Sequence, residues 1–457
     1  MGAREALTPD PVLAEFLAAL RQAAAAVEAR AWLVGGSVRD RLLGRPNPDF
    51  DVVVEDGLGG RVAETFARQT GSPEPVLFER FGTAQVRWRG HLVEFASARA
   101  ESYREDSRKP DVGPATLADD LRRRDFTVNT LLMDLDANVI DPLGEGLSDL
   151  ERGVLRTPRP PAETFKDDPL RMLRAVRFAA QLGFELDPAL LPAMREMRGR
   201  LAPPVLSVER TADELRKMLL SERPRLALEL MEAGGLLEIV LPEVHACRGV
   251  EQRGWHRWDV YGHTLEAVEK AKPDLTVRLA ALLHDVGKPV TATPDGAFHG
   301  HDSVGAEMAS VALKRLRFSN AEAARVSKLV RLHLRPVFYD SEWTDGAVRR
   351  LARAAGPLLW PLLDLARADI AASAYPHPEK LDELADRLRG VLAERPSRVK
   401  PAVSGRDLMA ALGLKPGPEV GRIKALIEDL VLEGELEPDR DAVLEYARAH
   451  AADLLRG

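Results

Sequence analysis

Residues 32–56 contain two acidic residues and a pair of glycines whose types and spacing suit the binding of metal ions and phosphates. Asp49 and Asp51 alternate within the stretch DFDVVV, so in a strand their carboxylates share one face while Phe50 points into the core. Carboxylates on one open face suit Mg²⁺, which keeps several waters and accepts phosphate oxygens from a substrate. A solvated pair on an edge strand is the alternative interpretation.

The glycines Gly35 and Gly36 follow the short apolar run AWLV and precede a predicted helix. Backbone N–H groups at such a strand-to-helix turn are unpaired and attract anions. Arg39 lies one turn into the helix and could reach the same phosphates. A turn that needs glycine only for its backbone conformation is the alternative. The acidic pair and the glycine turn are each a weak signal alone. Together they favour a binding site over the structural alternatives.

The elements around these residues predict a mixed α/β unit over residues 1–145. Apolar positions at helical spacing predict a helix in residues 11–30, and AWLV and DFDVVV predict two strands. AQVRWRGHLVEFASAR alternates around a predicted turn at Arg89-Gly90, and NTLLMDLDANVIDP predicts another strand pair. Residues 99–121 are polar and broken by two prolines, which predicts a loop. From residue 146 onward the strand pattern stops and amphipathic helices follow.

The composition is that of a globular protein with several packed units. At 457 residues the chain exceeds the size at which one hydrophobic core stops growing. Its 45% apolar and 30% charged residues, with no apolar run long enough to cross a bilayer, predict neither a membrane-spanning nor a disordered chain. The single cysteine, Cys247, excludes an intramolecular disulfide, and the N-terminus lacks a secretion signal, which predicts a cytoplasmic protein. The net charge of −7 predicts that any nucleic-acid contact is local.

The stretch GGSVRDRLLGRPNPDFD resembles the head of the DNA polymerase beta nucleotidyltransferase superfamily, in which two glycines and a helix precede Asp-x-Asp. The resemblance implies that Gly35 and Gly36 hold a nucleoside triphosphate. It also implies that Asp49 and Asp51 are catalytic and hold Mg²⁺ ions, which activate a 3′-hydroxyl and bridge the phosphates. Such families usually use a third carboxylate on a neighbouring strand, and Glu94 in HLVEF is the candidate.

Two later motifs narrow the resemblance to the class II tRNA nucleotidyltransferases and the related bacterial poly(A) polymerases. The motifs are DDLRRRDFTVNTLLMDLDANVIDPLGEGLSDLERGVLRTP and FKDDPLRMLRAVRFAAQLGFEL. The similarity runs from about residue 30 to about residue 245 and resumes in the tail. It implies a set of nucleotide-binding residues beyond the glycines, namely Arg39, Arg124, Asp125, Asp168, Arg171, Arg174 and Arg177.

Asp168 and Arg171 also have an interpretation that does not depend on the resemblance. One helical turn apart, they can present a hydrogen-bond acceptor beside a forked donor. Cytosine and adenine satisfy both, because each offers an amino donor beside a ring-nitrogen acceptor, whereas guanine and uracil place a carbonyl opposite the aspartate. An acid-capped helix start is the alternative. Relatives that add only the two cytidines are shortened at residues 99–121 and this chain is not, so addition of A is expected.

A second group of residues resembles the metal site of the HD superfamily of phosphohydrolases. The four matching positions are His263, His284, Asp285 and Asp369. The resemblance implies a divalent metal ion whose bound water can act as a nucleophile, with Lys288 as a phosphate contact. A lone histidine is more often structural than a ligand, so three further histidines are left out of the predicted site: His299, His301 and His333.

These resemblances imply an α+β fold. An N-terminal mixed-sheet nucleotidyltransferase head of the DNA polymerase beta type is followed by an all-α body that includes an HD-type helical domain. The predicted domains are the head at residues 1–145, a helical neck with the base-recognition helix at 146–254, the HD-type metal-binding domain at 255–375 and a helical tRNA-binding tail at 376–457.

The implied function is template-independent addition of CCA, or of the terminal A alone, to tRNA from CTP and ATP, with release of pyrophosphate. Mg²⁺ is the expected cofactor, with a second divalent metal in the HD-type domain. A poly(A) polymerase is one alternative, but its relatives often carry a strongly basic extension after the helical body, and these 457 residues contain none. A phosphohydrolase that works through its HD-type domain is another, and an RNA-binding protein with degenerate sites is a third.

Overall fold

A computed structural model describes residues 4–6, 8–78, 82–102, 111–114, 116–252, 257–393, 403–433 and 436–451 of the chain. The chain divides into two compact units, Met1–Val240 and Leu241–Gly457. The first unit contains all the strands of the described residues, and the elements of the second unit are helices. The finer division into four domains remains a prediction.

The first unit is built on a mixed β-sheet. Its strands are β1 (Arg4–Ala6), β2 (Ala31–Val34), β3 (Phe50–Val54), β4 (Val76–Phe78), β5 (Thr83–Trp88), β6 (His91–Ser97), β7 (Arg99–Ser102), β8 (Asp111–Pro114), β9 (Leu132–Met133), β10 (Asn138–Ile140), β11 (Val154–Leu155) and β12 (Glu185–Leu186). Eight of them form one sheet in the order β1-β10-β9-β2-β3-β6-β5-β4. At its centre, β3 is antiparallel to β2 and parallel to β6, so the end of β2 and the starts of β3 and β6 lie at the same edge.

Helices cover the sheet and form the rest of the first unit. They are α1 (Pro11–Ala26), α2 (Gly36–Leu42), α3 (Gly59–Thr70), α4 (Leu117–Arg122), α5 (Gly146–Arg152), α6 (Pro161–Asp167), α7 (Leu170–Leu182), α8 (Leu190–Met197), α9 (Val208–Leu219), α10 (Pro224–Ala233) and α11 (Leu237–Val240). Helices α1 and α3 pack together and α3 packs on β5 and β6, while α7 packs against α9 and α10.

An aromatic core fixes which way β3 faces. Phe16 of α1 stacks on Phe50 of β3 with ring centroids 4.0 Å apart, and Phe66 of α3 contacts Phe95 of β6 at 5.5 Å. All four rings are at most 1% exposed. Because side chains alternate along a strand, burial of Phe50 turns the neighbouring Asp51 to the opposite face of the sheet.

Most of the predicted elements of the head are confirmed. The helix in residues 11–30 is α1, the two strands are β2 and β3, and the first hairpin is β5/β6. Its turn residues Arg89 and Gly90 both have positive φ, at 50° and 88°, as a two-residue hairpin turn requires. The second predicted strand pair is β9/β10.

The predicted loop at residues 99–121 is partly wrong. Its flanks form the antiparallel pair β7/β8, with Arg99 opposite Pro114, and its end forms α4; residues 103–110 and 115 lie outside the described residues. No alternation of apolar and polar residues marks these two strands, so the hydrophobic pattern could not predict them. A second departure is the short parallel pair β11/β12, which lies beyond residue 146.

The second unit is a set of packed helices. They are α12 (Pro242–His245), α13 (Val260–Lys270), α14 (Leu275–Leu283), α15 (Lys288–Thr291), α16 (His301–Arg315), α17 (Asn320–Leu332), α18 (Leu334–Val337), α19 (Asp345–Ala355), α20 (Leu359–Ala371), α21 (Lys380–Ala393), α22 (Gly405–Leu412), α23 (Pro418–Glu433) and α24 (Arg440–Ala449). Helix α14 is buried from Val277 to Leu283 and packs against α13, α17 and α20. None of the helices within the described ranges is long and apolar enough to cross a membrane.

Candidate active site

The glycine turn connects the end of β2 to the start of α2. Gly35 has a φ of +69°, a left-handed conformation that favours glycine. A Cβ atom added at Gly35 would lie 3.3 Å from Nη1 of Arg124 and 3.7 Å from Oδ2 of Asp51. The turn therefore needs glycine both for its backbone conformation and for the close approach of two charged side chains.

Ser37 ties this turn to the acidic strand. Its hydroxyl donates to the backbone carbonyl of Asp49 at 3.1 Å and accepts from the backbone N–H of Asp51 at 2.7 Å. Ser37 is fully buried, so water does not compete for these bonds. The start of β3 is thereby held beside the glycine turn.

Three carboxylates converge at the start of β3. Asp51 lies directly opposite Glu94 in the parallel pair β3/β6, and Asp49 immediately precedes β3. Glu94 accepts a hydrogen bond from Nε2 of Gln85 at 3.2 Å, which restrains its side chain. The strand register thus brings the candidate third carboxylate next to Asp51.

The charges of these residues fit a divalent cation. Burial raises the pKa of Asp51 above its usual value, although Arg124 partly offsets the effect. The neighbouring carboxylates of Glu94 and Asp49 raise the pKa of Asp51 further. A cation bound among them would relieve this repulsion, and hard oxygen ligands are those that Mg²⁺ prefers. The donor set is therefore suited to the predicted metal.

A cavity of about 440 Å³ borders Asp51 and Glu94. Its wall combines carboxylates with four arginines, so it can receive an anionic ligand that also carries a bound cation. The lining residues are Val34, Gly35, Gly36, Arg39, Asp51, Val52, Glu94, Ala96, Arg124, Asp125, Asn129, Arg174, Arg177 and Phe178.

Arg124 is aimed at the glycine turn by an acidic partner. Its Nε and Nη2 donate to Oδ2 of Asp120 at 3.3 and 3.2 Å, while its Nη1 faces Gly35. Burial would raise the pKa of Asp120, but Arg124 and Arg123 hold it below its usual value. The position of Arg124 fits the nucleotide contact predicted for it.

Arg39 and Arg174 are joined by a polar network at the cavity wall. Arg39 donates to Oδ1 of Asp40 at 2.8 Å and to Oδ1 of Asn129 at 2.6 Å. Asn129 donates to Oδ1 of Asp125 at 2.9 Å, and Arg174 donates twice to Oδ2 of Asp125, at 2.8 and 2.5 Å. Burial would raise the pKa of Asp125, but Arg174 and Asn129 hold it well below its usual value. Asp125 therefore orients Arg174 here, a role that the sequence did not predict.

Arg177 links α7 to α9 through a buried ion pair. Its Nε donates to Oε2 of Glu214 at 2.5 Å, and its Nη1 donates to Oε1 of Gln181 at 2.8 Å. The side chains of Arg177 and Glu214 are 10% and 4% exposed. The sequence predicted a nucleotide contact for Arg177, whereas its bonds in the structure hold two helices together.

The predicted base-reading residues do not line the cavity. Asp168 accepts from the backbone N–H of Leu170 at 3.1 Å and from Nη2 of Arg210 at 2.7 Å. Arg171 donates from Nη2 to the backbone carbonyl of Arg123 at 2.6 Å. Asp168 thus accepts from the first residue of α7, and a base would meet its carboxylate only if Arg210 shares it or moves.

Five residues that organise this site were not predicted: Ser37, Asp120, Asn129, Arg210 and Glu214. Ser37 directly follows the glycine pair and Asn129 lies four residues after Asp125, so local spacing could have indicated both. Arg210 is 42 residues from Asp168, and Glu214 is 37 residues from Arg177. No local pattern connects residues at such separations.

The second unit brings the predicted HD-type residues together. Nε2 of His263, on α13, lies 2.9 Å from Oδ1 of Asp369, on α20, and 3.3 Å from Nε2 of His284. Burial would lower the pKa of His284, but the adjacent Asp285 raises it to about 9. Lys288 donates to Oδ2 of Asp285 at 2.7 Å. The imidazole and carboxylate donors suit a divalent transition metal.

Comparison with known proteins identifies the family. The Poly A polymerase head domain matches residues 31–156, and tRNA nucleotidyltransferase domain 2 matches residues 301–447. The chain is 36% identical over 430 residues to the A-adding tRNA nucleotidyltransferase of Deinococcus radiodurans, covering 90% of this chain and 93% of that protein. This chain belongs to the tRNA nucleotidyltransferases.

A second relative and two solved structures are also similar to this chain. The CC-adding tRNA nucleotidyltransferase of Thermus thermophilus is 37% identical over 416 residues, 87% of this chain and 89% of that protein. The Bacillus stearothermophilus CCA-adding enzyme in complex with CTP has the same fold, with a TM-score of 0.69 at 24% identity over 97% of this chain and 99% of that chain. A tRNA nucleotidyltransferase complexed with a primer tRNA and an incoming ATP analog gives a TM-score of 0.55 at 28% identity, covering 82% and 99%.

Proposed function

We propose that this tRNA nucleotidyltransferase completes the 3′ end of tRNA with adenosine taken from ATP, using Mg²⁺ bound in the head. The position of Asp51 opposite Glu94 and beside the glycine turn carries the proposal. Asp49, two residues before Asp51, adds a third carboxylate whose charge acts on Asp51. The A-adding and CC-adding relatives differ by one percentage point in identity, so identity does not choose between them. The resemblance implies that relatives adding only the two cytidines are shortened at residues 99–121, and this chain keeps that segment, which supports addition of A.

The partners and location follow from this activity. The helical tail at residues 376–457 would contact the tRNA, and ATP would occupy the cavity of the head. Both substrates are found in the cytoplasm, which is the location we propose.

Asp49, Asp51 and Glu94 are the residues that would hold the cations. When bound, the cations would neutralise phosphate charge and favour ionisation of the tRNA 3′-hydroxyl. The oxygen of this hydroxyl bonds to the α-phosphorus of ATP, the bond from that phosphorus to the β-phosphate oxygen breaks, and pyrophosphate leaves. Transfer needs no covalent enzyme intermediate, because catalysis depends on positioning and charge stabilisation.

The chain's own residues would position the triphosphate. Gly35 leaves open the space between Arg124 and Asp51, so a phosphate can approach the backbone of the turn. Two nitrogens of Arg124 donate hydrogen bonds to Asp120, and the third, Nη1, points towards that space. A guanidinium held in this way loses little side-chain freedom when it binds a phosphate.

Ser37→Ala is expected to lower the rate of adenosine incorporation about ten- to a hundredfold and to destabilise the head by about 1–3 kcal/mol. The substitution removes the acceptor of a buried backbone N–H, that of Asp51, and frees the start of β3. Single-turnover incorporation and urea unfolding measure the two effects. Ser72→Ala, in the loop after α3, is the control and should change neither. An unchanged rate in Ser37→Ala would show that this link does not position the carboxylates.

Asp168→Asn is expected to lower discrimination between ATP and UTP about ten- to a hundredfold. Asparagine offers an amino donor that can face the uracil carbonyl, which removes the penalty of about 1–3 kcal/mol for the mismatch. The ratio of kcat/KM for the two nucleotides measures the effect. Asp213→Asn, an exposed acid of α9 paired with Lys217, is the matched control. If Asp168→Asn incorporates adenosine at the wild-type rate and discriminates between ATP and UTP as the wild type does, Asp168 does not take part in base selection.

One experiment separates the transferase activities. The protein is incubated with tRNA lacking CCA, tRNA ending in CC, or an unrelated RNA, and with each labelled nucleoside triphosphate in turn. We expect the addition of a single adenosine to the tRNA ending in CC. Addition of cytidine to the tRNA lacking CCA would show that the protein adds the whole CCA sequence. Long adenosine tails on unrelated RNA would indicate a poly(A) polymerase. Cytidine addition without any adenosine would contradict the proposal.

A further inference from the structure

A groove with positive charge lies between α16, α17 and α19 of the second unit. Its volume is about 550 Å³, and it is lined by the side chains of Lys328, Arg331, Ser310 and Ser327 together with two alanines and one leucine. Within the described ranges of the chain, its lining contains no acidic residue. We call it the α17 groove, because α17 contributes most of its lining. Such a lining favours an anion over a cation.

The region around the α17 groove has the opposite charge to the whole chain. Residues 320–355 contain seven arginines and lysines and four acids, which gives a net charge of +3, whereas the chain carries −7. Arg325, Lys328 and Arg331 follow one another at three-residue spacing and are all exposed. Neither Arg325 nor Lys328 forms an ion pair in the part of the chain that the structure describes. Arg331 lies 3.8 Å from Glu307, whose side chain is 79% exposed, so this pair offsets little of the charge.

The three cations form a row along α17. Three residues of an α-helix rise about 4.5 Å, so the row extends over about 9 Å. At its centre, Lys328 extends towards the residue after α19, because a Cβ atom added at Gly356 would lie 3.9 Å from its Nζ. A row of this kind matches the repeated charges of a nucleic-acid backbone, in which one phosphate follows another at short intervals. A small anion would need only one of the three cations.

Ser327 indicates which kind of nucleic acid fits the groove. Its hydroxyl donates to the backbone carbonyl of Ala306 at 2.8 Å. Because this proton is already used, the oxygen of Ser327 offers the groove only lone pairs. A phosphate oxygen also accepts and would gain nothing from it, whereas the 2′-hydroxyl of a ribose can donate to it. Cations beside a hydrogen-bond acceptor therefore suit RNA better than DNA or a lipid surface.

We propose that the α17 groove binds the sugar-phosphate backbone of the tRNA. Lys328 and Arg331 contact phosphates inside the groove, Arg325 extends the contact along α17, and Ser327 accepts from a 2′-hydroxyl. The proposal rests on the proposed function, because that function makes tRNA the substrate. The groove lies within residues 301–447, which match tRNA nucleotidyltransferase domain 2, and it precedes the tail predicted to contact tRNA.

Binding of tRNA ending in CC to the full chain, measured without ATP over a range of salt concentrations, tests the proposal. Lys328→Gln combined with Arg331→Gln should raise Kd at least about tenfold at physiological salt. The slope of log Kd against log salt concentration should also become shallower by about 1 to 2, because two phosphate contacts are lost. Both side chains are exposed, so an unchanged Tm is expected and shows that the variant is folded.

The matched control removes two other exposed lysines of the second unit. Lys270→Gln combined with Lys272→Gln should change neither Kd nor its salt dependence, because Glu266 and Asp364 already pair with these lysines. An equal loss of binding in this control would overturn the proposal. So would a groove variant that binds tRNA within twofold of the wild type with the same salt dependence. Loss of binding to vesicles of anionic phospholipid, with tRNA binding unchanged, would overturn it in favour of a lipid surface.

Ser327→Ala tests the contact with ribose. The variant should raise Kd for tRNA about three- to tenfold without changing the salt dependence, because it removes one neutral hydrogen bond. The preference for tRNA over DNA of the same sequence should fall by the same factor. An unchanged preference would overturn the assignment of the 2′-hydroxyl.

Failure of this proposal can be told apart from failure of the proposed function. Binding is measured without ATP, so it does not depend on transfer of adenosine. If the wild type and the groove variant bind tRNA as expected but the wild type adds no adenosine, the proposed function is wrong and the groove assignment is supported. If the wild type adds adenosine and the groove variant binds tRNA as the wild type does, only the groove assignment is wrong.

Discussion

Asp49→Ala is expected to lower the rate of adenosine incorporation into tRNA ending in CC by at least about a thousandfold. Cations held by the carboxylates of the head would supply several kcal/mol of charge stabilisation, and each 1.36 kcal/mol corresponds to a factor of ten in rate. Asp49 is exposed and precedes β3, so its loss should leave the fold intact. Single-turnover incorporation of labelled ATP measures the rate, and urea unfolding measures the stability.

The control for this experiment is another exposed acid of the same unit. Glu64 lies on α3, and Glu64→Ala should incorporate adenosine at the wild-type rate. If Asp49→Ala stays within tenfold of the wild type while remaining folded, the carboxylates are not the catalytic centre. The predicted HD-type residues of the second unit would then be the candidate for the main activity.

Arg177→Met is expected to destabilise the first unit by about 3–5 kcal/mol. The substitution leaves the carboxylate of Glu214, whose side chain is 4% exposed, without its arginine partner. Removing one member of a buried ion pair is strongly destabilising because the remaining charge is not compensated. Urea unfolding at neutral pH, followed through the transition of the first unit, measures the loss.

A double variant distinguishes this structural role from a nucleotide contact. Arg177→Met combined with Glu214→Leu removes both charges and should recover most of the lost stability. Lys217→Met, which breaks an exposed ion pair on α9, should cost less than about 1 kcal/mol. A weaker affinity for ATP with unchanged stability in Arg177→Met would instead support the contact predicted from the sequence.

The hydrophobic pattern predicted α1, β2, β3 and the β5/β6 hairpin because each of these elements has a buried face. Phe50 shows why: its burial and the apolar residues after it identify β3 and its orientation without any knowledge of the neighbouring strands. The pair β7/β8 was not predicted because its residues do not alternate between apolar and polar. Hydrogen bonding between backbones forms that pair, and backbone bonding leaves no signal in the types of side chain.

The site residues that could be predicted are those whose function depends on residues close to them in the sequence. The glycine turn and the Asp-x-Asp spacing are local, and both lie where the sequence placed them. The register that sets Glu94 opposite Asp51 depends on a parallel strand pair formed over 43 residues of separation, so Glu94 could only be a candidate. His301 and His333 were left out because a lone histidine is more often structural than a ligand. Only the packing of α14, α16 and α17 brings them close to Asp285.

The Mg²⁺ dependence of adenosine incorporation by Glu94→Gln tests the metal-binding role of the three carboxylates most directly. Glutamine keeps the size of the side chain and removes one charged ligand, and the charge of the ligands sets affinity for a hard cation. We predict that the Mg²⁺ concentration for half-maximal incorporation rises at least about tenfold above that of the wild type, with KM for tRNA unchanged. The same Mg²⁺ dependence and the same maximal rate in both proteins would contradict the assignment of Asp49, Asp51 and Glu94 as one metal site.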